Sequence, residues 1–251
     1  MTLQARGTGR ADFRQQPPAD ISFPLVDLSA RINGVASIDK NGEVYFRDDF
    51  SRDVPSWTTS IPFSGYVAVV DYPTFASNHA ILLRSNTTTE NLTILRRHLY
   101  IPSATENIGA EVVFTHDQVG AASIVDYRFE MNLLFDYQTK RIQTRLQYND
   151  LEGVVLVHRT GNVLIANYSL QSSPTFHRMK MVINPVTEEY LRVYIDDKLF
   201  ILDGQLVGFV SKGKRVPDIN VELSIETRTR GEAAEAVVGE FIMTRNEPNQ
   251  V

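Results

Sequence analysis

Between residues 123 and 148 polar and apolar positions alternate in two runs. Val125, Tyr127, Phe129, Met131, Leu133 and Phe135 share one parity, and Asp126, Arg128, Glu130 and Asn132 share the other. In the second run Ile142, Thr144, Leu146 and Tyr148 oppose Arg141, Gln143, Arg145 and Gln147. Successive side chains of a strand leave opposite faces, so a period of two turns one set into a core and the other onto the far face of a sheet. Asp136-Tyr-Gln-Thr-Lys140 is read as the loop that closes the two runs into a hairpin. Closed that way, an acidic row lies beside a basic row, each opposite-charge pair contributing roughly 0.2–1 kcal/mol.

Further β-rich runs follow the same logic at 43–50, 65–72, 79–84, 91–100 and 111–115. After the hairpin they continue at 153–158, 162–170, 176–184, 189–195, 198–202, 220–228 and 236–244, with turn residues such as Gly161 and Asn184-Pro-Val-Thr187 between them. Only 231–236 has even weak helical character. Short strands at regular spacing predict an all-β sandwich or jelly roll, since an α/β fold would need long segments of period 3.6.

Composition narrows this picture. The 251 residues, 43% of them hydrophobic, suffice for one large β domain with its own core. There is no cysteine, which removes disulfides, thiol nucleophiles and Cys-ligated zinc. A net charge of −5 gives no reason to expect nucleic acid as a partner, and no apolar run is long enough to cross a membrane. Residues 1–41 stand apart: they carry Gly7, Gly9, Pro17, Pro18, Pro24 and Gly34 and little periodicity. They are read as an extended N-terminal arm, with Arg6, Arg10 and Arg14 as its candidate contacts and residues 42–251 as the sandwich domain. The first ten residues lack the apolar stretch of a signal peptide.

Two stretches carry a family resemblance. His177-Arg-Met-Lys-Met-Val-Ile-Asn-Pro-Val-Thr-Glu-Glu-Tyr-Leu-Arg-Val-Tyr-Ile-Asp-Asp-Lys-Leu-Phe200 is similar to the strand–turn–strand of the concanavalin A-like (laminin G-like) jelly-roll superfamily. Asp197 stands where those domains usually place glycine. Arg47-Asp-Asp-Phe50 followed by Trp57 resembles their opening strand, and Val238-Gly-Glu-Phe-Ile-Met-Thr244 their returning last strand. The resemblance covers roughly residues 43–245 and implies a concanavalin A-like jelly-roll sandwich. That superfamily includes lectins, glycosidases, adhesion modules and virion proteins, so a fold is implied and not an activity.

Candidate chemistry is sparse. The Glu-x-Asp-x-x-Glu pattern of glycosidase relatives is missing, and Asp126 and Glu130 lie about 13 Å apart by strand rise, too far for paired-carboxylate hydrolysis. No catalytic residue is therefore expected. Asp126, Arg128, Glu130, Asn132, Arg141, Gln143, Arg145 and Gln147 form one polar sheet face; Arg178, Lys180, Tyr190, Arg192 and Tyr194 form a second. Either is a solvated face, a protein interface or a glycan surface, and Trp57, Tyr190 and Tyr194 are the rings a sugar would stack on. The five histidines are scattered singly, without metal-ligand spacing. Asp48-Asp49 and Asp196-Asp197 offer carboxylates to calcium, but without an EF-hand spacing no cofactor or metal is expected.

These features lead to a non-enzymatic assembly protein, a bacteriophage capsid decoration or tail component located in the virion. Its expected partners are protein, as homo-oligomer or virion subunits, met through the arm and a sheet face. The alternative is a lectin-like carbohydrate-binding module, with a divergent glycoside hydrolase behind it.

Overall fold

The computed structural model describes residues 42–249, apart from segments 52–56, 62–64, 72, 76–78, 87–91, 101–106, 120–125, 138–139, 159–160, 168, 212–217 and 229–231. The arm at 1–41, with Arg6, Arg10 and Arg14, lies outside the described residues.

The first eight strands are β1 (Glu43–Asp48), β2 (Thr58–Ser60), β3 (Tyr66–Val70), β4 (Ala80–Arg84), β5 (Thr93–Tyr100), β6 (Ile108–Val119), β7 (Tyr127–Tyr137) and β8 (Lys140–Asn149). The rest are β9 (Gly153–His158), β10 (Gly161–Ala166), β11 (His177–Asn184), β12 (Glu189–Ile195), β13 (Lys198–Leu206), β14 (Gly208–Ser211), β15 (Asp218–Thr227) and β16 (Ala233–Arg245). They build two open antiparallel sheets. The first runs β13-β12-β11-β6-β16-β4-β3, with β1 also on β16; the second runs β10-β9-β8-β7-β15-β5-β2, with β14 also on β8. This is an all-β, jelly-roll-like sandwich.

The alternating hairpin sits at the centre of the second sheet. Tyr127, Phe129, Met131, Leu133 and Phe135 on β7, and Ile142, Leu146 and Tyr148 on β8, are all buried in the core between the sheets. The two layers meet where Phe114 of β6 stacks on Phe129 of β7, ring centroids 4.4 Å apart. Apolar burial on this scale is the main favourable term of the fold.

Three features differ from the sequence-based expectation. Strand β16 begins at Ala233, inside the stretch with weak helical character, because Ala233 to Ala236 pair with β6 and bury their side chains. Ladder pairing here overrides the helix preference of Ala and Glu. Strands β2 and β14, of three and four residues, are too short to carry a periodic signal. Thirdly, the β11–β12 ladder shifts register between Val182 and Ile183, so that Ile183 faces Tyr190 while Val182 faces Arg192. Among the described residues no helix is long and apolar enough to cross a membrane.

Candidate functional site

The outward face of the second sheet gathers the polar parity of the hairpin and joins it to β15 and β5. In register, Glu226, Arg128 and Asn149 form one cross-strand row, Ser224, Glu130 and Gln147 the next, and Arg96, Glu222, Asn132 and Arg145 the third. Arg128 Nε lies 2.5 Å from Glu226 and 3.1 Å from Glu130, and Arg145 Nε lies 3.5 Å from Glu130. Arg96 Nε donates to Glu222 at 2.7 Å, and Asn132 Nδ2 donates to the same carboxylate at 3.2 Å. Burial pushes the Glu130 carboxyl above its ordinary range; Arg145 and Arg128 pull it back, while Glu226 and Glu222 push with the burial.

Two amides in this patch are unfinished. Asn132 and Gln147 are 6% and 5% exposed, yet Asn132 Oδ1 and Gln147 Oε1 accept no hydrogen bond. A buried acceptor left alone costs about 1–3 kcal/mol, so such atoms ask for a donor from outside. The other members lie at the margins. Arg141 forms a two-pronged pair with Asp136, both contacts 2.6 Å, at the hairpin end. Gln143 faces Leu134, and Asp126, just before β7, accepts from Asn149 Nδ2 at 3.3 Å.

Arg145 is held from behind by the opposing sheet. Along the outer edge of β8 the partner changes from β14, whose pairing reaches Gln143, to β9, whose pairing begins at Arg145. At that handover the Arg145 backbone N–H donates to the Tyr190 hydroxyl at 3.0 Å. Tyr190 thus crosses the core, 1% exposed, with its own ionisation pushed up by burial. Tyr190→Phe should orphan this N–H and cost about 1–3 kcal/mol. Urea denaturation reads the loss, and unchanged stability would show that the bond contributes nothing.

The second expected face does not exist as an open surface. The register shift turns Tyr190 inward, away from Arg192 and Tyr194. On the outer side of the first sheet Arg178, Lys180, Arg192 and Tyr194 are all buried. Glu247, just past β16, reaches back over this sheet: its carboxylate meets Lys180 Nζ at 2.7 Å, Arg192 Nη2 at 2.6 Å and the Thr244 hydroxyl. Arg192 Nη1 also donates to the Pro248 carbonyl at 2.7 Å. Gly109 makes room for this contact, since a Cβ there would lie 2.6 Å from Glu247 Oε1.

The expected stacking rings are unavailable for the same reason. Trp57 is 6% exposed, packs edge-on against Phe241 at 5.7 Å, and donates from Nε1 to Asp48 Oδ2 at 2.8 Å. It anchors the core. The aspartate pairs serve turns: Asp48 Oδ1 accepts from Phe50 N, Asp49 Oδ1 from Ser51 N, and Asp196 Oδ1 from Arg178 N. A further polar group, missed in the sequence because its members are far apart, lies inside the sandwich. His116 of β6 hydrogen-bonds the Tyr127 hydroxyl, and its ring centroid is 4.7 Å from that of Tyr148 and 6.1 Å from that of His177. Burial, and then the neighbouring His177, lower the His116 pKa to about 3.

No protein-family model matches the chain, and a search of curated proteins finds no match. Solved structures do match. An endo-β-1,4-glucuronan lyase from the fungus Trichoderma reesei superimposes with a TM-score of 0.52 at 13% identity, over 83% of this chain and 100% of the lyase. A carbohydrate esterase from the Shiga toxin-encoding bacteriophage phi24B gives 0.49 at 13% identity, over 82% and 99% of the two chains. The carbohydrate recognition domain of Emp46p gives 0.44 at 11% identity, over 86% and 97%. The expectation of a virion structural protein is overturned here: the chain whose fold this one shares is a glucuronan lyase and not a capsid decoration or tail protein. The physical reason is that an arm and a missing catalytic motif are common to many sandwiches and select none of them. What this chain shares with the lyase is the two-sheet jelly-roll fold.

Proposed function

We propose that this chain is a non-catalytic carbohydrate-binding module and that the outward face of its second sheet is the glycan surface. The observation that carries the reading is the pair of buried, unanswered amide oxygens, Asn132 Oδ1 and Gln147 Oε1, beside the guanidinium groups of Arg128 and Arg145. Glycan hydroxyls donate to the former and accept from the latter. Recognition then rests on hydrogen bonds in the plane of the sheet, not on the stacking expected of Trp57, Tyr190 and Tyr194. The fold shared with the glucuronan lyase is a sandwich on which carbohydrate chemistry occurs, and it supports the reading at that level only. Two carboxylates flanking a glycosidic bond would be needed for hydrolysis. Here Glu222 is paired with Arg96 and Glu226 with Arg128, which leaves Glu130 without such a mate.

A glycan array on the full chain tests the reading. The double change Asn132→Ala with Gln147→Ala should weaken the best ligand by roughly tenfold or more, from about 0.5–1.5 kcal/mol per lost hydrogen bond. The urea midpoint establishes that the variant is folded, since Asn132→Ala removes the bond to Glu222 along with the unanswered oxygen. Binding that survives the double change would move the glycan surface elsewhere, and release of sugar fragments during incubation would end the non-catalytic assignment.

A further inference from the structure

This inference rests on the outward face of the second sheet being the glycan surface, and it concerns which glycan. Glu130 lies between two guanidinium groups, Arg128 and Arg145, which come from its own strand and the neighbouring one. The two arginines are not equivalent. Arg128 also has Glu226 at 2.5 Å, whereas Arg145 has only the long 3.5 Å contact to Glu130. Both side chains remain partly open to solvent, at 25% and 29% exposure. Among the described residues the buried Nε atoms of both arginines make no hydrogen bond, so the difference lies in the ion pairs: Arg128 has two carboxylates within 3.1 Å and Arg145 one at 3.5 Å. A guanidinium presents five N–H donors in a planar fork, matched by a carboxylate that accepts two of them side by side. The Arg145 fork, partly open to solvent, is met by Glu130 in one long contact and by no side-by-side pair.

What surrounds the fork is complementary to hydroxyl groups. Asn132 faces Arg145 directly across the ladder, and Gln147 lies two residues further along the same strand, facing Glu130. Their free amide oxygens and the fork mark corners of a rectangle about 5 Å across the strands and about 7 Å along them. One acidic fork-binding group with hydroxyls beside it describes a uronic acid. The charge count agrees. Arg96 answers Glu222, and Arg128 is shared between Glu226 and Glu130, so among the described residues Arg145 has Glu130, at 3.5 Å, as its carboxylate and no second one.

We propose that this patch binds a carboxylated glycan, a chain of uronic acid residues, whose carboxylate takes Arg145 in place of Glu130. Glu130 acts as an internal stand-in for the ligand, and its displacement leaves a buried carboxyl with Arg128, which it shares with Glu226, as its remaining counter-ion. It answers by taking a proton from solvent. The groups facing it are Arg128 on β7, Arg145 and Gln147 on β8, and Glu222, Ser224 and Glu226 on β15. With two of these carboxylates nearby and burial already favouring the neutral acid, proton uptake is the lower-energy course. Acidic glycan binding is therefore coupled to one proton and strengthens toward lower pH.

Isothermal titration of the full chain with oligosaccharide pairs that differ only at C6 tests this. The probes are β-1,4-tetraglucuronate against cellotetraose, and α-1,4-tetragalacturonate against the corresponding galactose tetramer, with sulfated cellotetraose as a third anion. The expected result is at least one acidic tetramer bound about tenfold more tightly than its neutral mate, with buffer-dependent heats that report proton uptake and with tighter binding at pH 5 than at pH 7.5. Arg145→Gln should erase the acidic preference, and Arg145→Lys, which keeps the charge and loses the fork, should erase most of it. Glu130→Gln should raise affinity for the acidic tetramer at pH 7.5 and flatten its pH dependence. Urea midpoints establish that each variant is folded. Equal binding of acidic and neutral mates overturns the uronate assignment and leaves the carbohydrate reading standing. Sulfated cellotetraose bound as tightly as tetraglucuronate overturns the carboxylate in favour of any anion. A pH dependence that persists in Glu130→Gln overturns the exchange, and no binding by any member of the pairs or of the wider array overturns the uronate assignment and the carbohydrate reading together.

Discussion

Glu247→Ala is expected to lower the unfolding free energy by about 3–5 kcal/mol, the range found when one partner of a buried ion pair is removed. Glu247 and Lys180 have no side-chain exposure and Arg192 only 1%, so the change strips two buried cations of the carboxylate they share. The Thr244 hydroxyl loses its acceptor in the same step. Glu247→Gln keeps an acceptor in place and should cost less, which separates the charge from the hydrogen bond. Replacing Glu247, Lys180 and Arg192 together by apolar residues of similar volume should recover most of the loss, because a buried pair contributes little net once its desolvation is counted. Equilibrium urea denaturation of the three variants reads all of this. A loss under 1 kcal/mol for Glu247→Ala would mean that water reaches the site and screens the cations.

The second large effect is acid sensitivity set by His116. Its imidazole is buried beside Tyr127, Tyr148 and His177, and its pKa falls from 6.5 to about 3. For a base with a depressed native value, the unfolded chain binds a proton that the native chain refuses. Stability contributed by the neutral ring is therefore complete above pH 6.5 and is lost as pH falls from 6.5 toward 3. Between pH 7 and pH 4 this single group should remove about 3 kcal/mol. Glu130 and Glu240 work in the opposite sense. Burial raises both, so the native state holds their protons above the unfolded value and gains stability as pH drops through that window. The comparison of native protein with His116→Gln cancels the carboxylates, which are common to both. The variant should lose about 3 kcal/mol less over the same interval, and parallel curves for the two proteins would rule His116 out as the sensor.

Much of the fold is legible in the alternation alone. Every second residue from Tyr127 to Phe135 is apolar, and a strand has only two faces, so burial of one set leaves the other set no choice. The polar set of β7 and β8 is accordingly where the pattern puts it, and Arg128, Glu130, Asn132 and Arg145 do share a face. Tyr190 departs from its parity. Parity groups it with Arg192 and Tyr194, but one shifted residue in the β11–β12 ladder reverses its side, and nothing in the composition of 182–192 marks the shift. The inverted tyrosine is what holds the Arg145 backbone from behind, in the face proposed to bind glycan.

Local pattern determined the strands, the two-layer class and the polar face of the central hairpin, since these depend on residues two apart along one chain. Exposure was decided only by tertiary closure. The charges of β11 and β12 read like a solvated face until Glu247, more than fifty residues later, folds back and buries them. Trp57 reads like a free ring until Phe50, Phe241 and Asp48 enclose it. Partnership across β5, β15, β7 and β8 likewise exists only in the assembled sheet. Which carboxylate each arginine meets, and how closely, is a property of strand order, and strand order is set by long-range burial that no local period encodes.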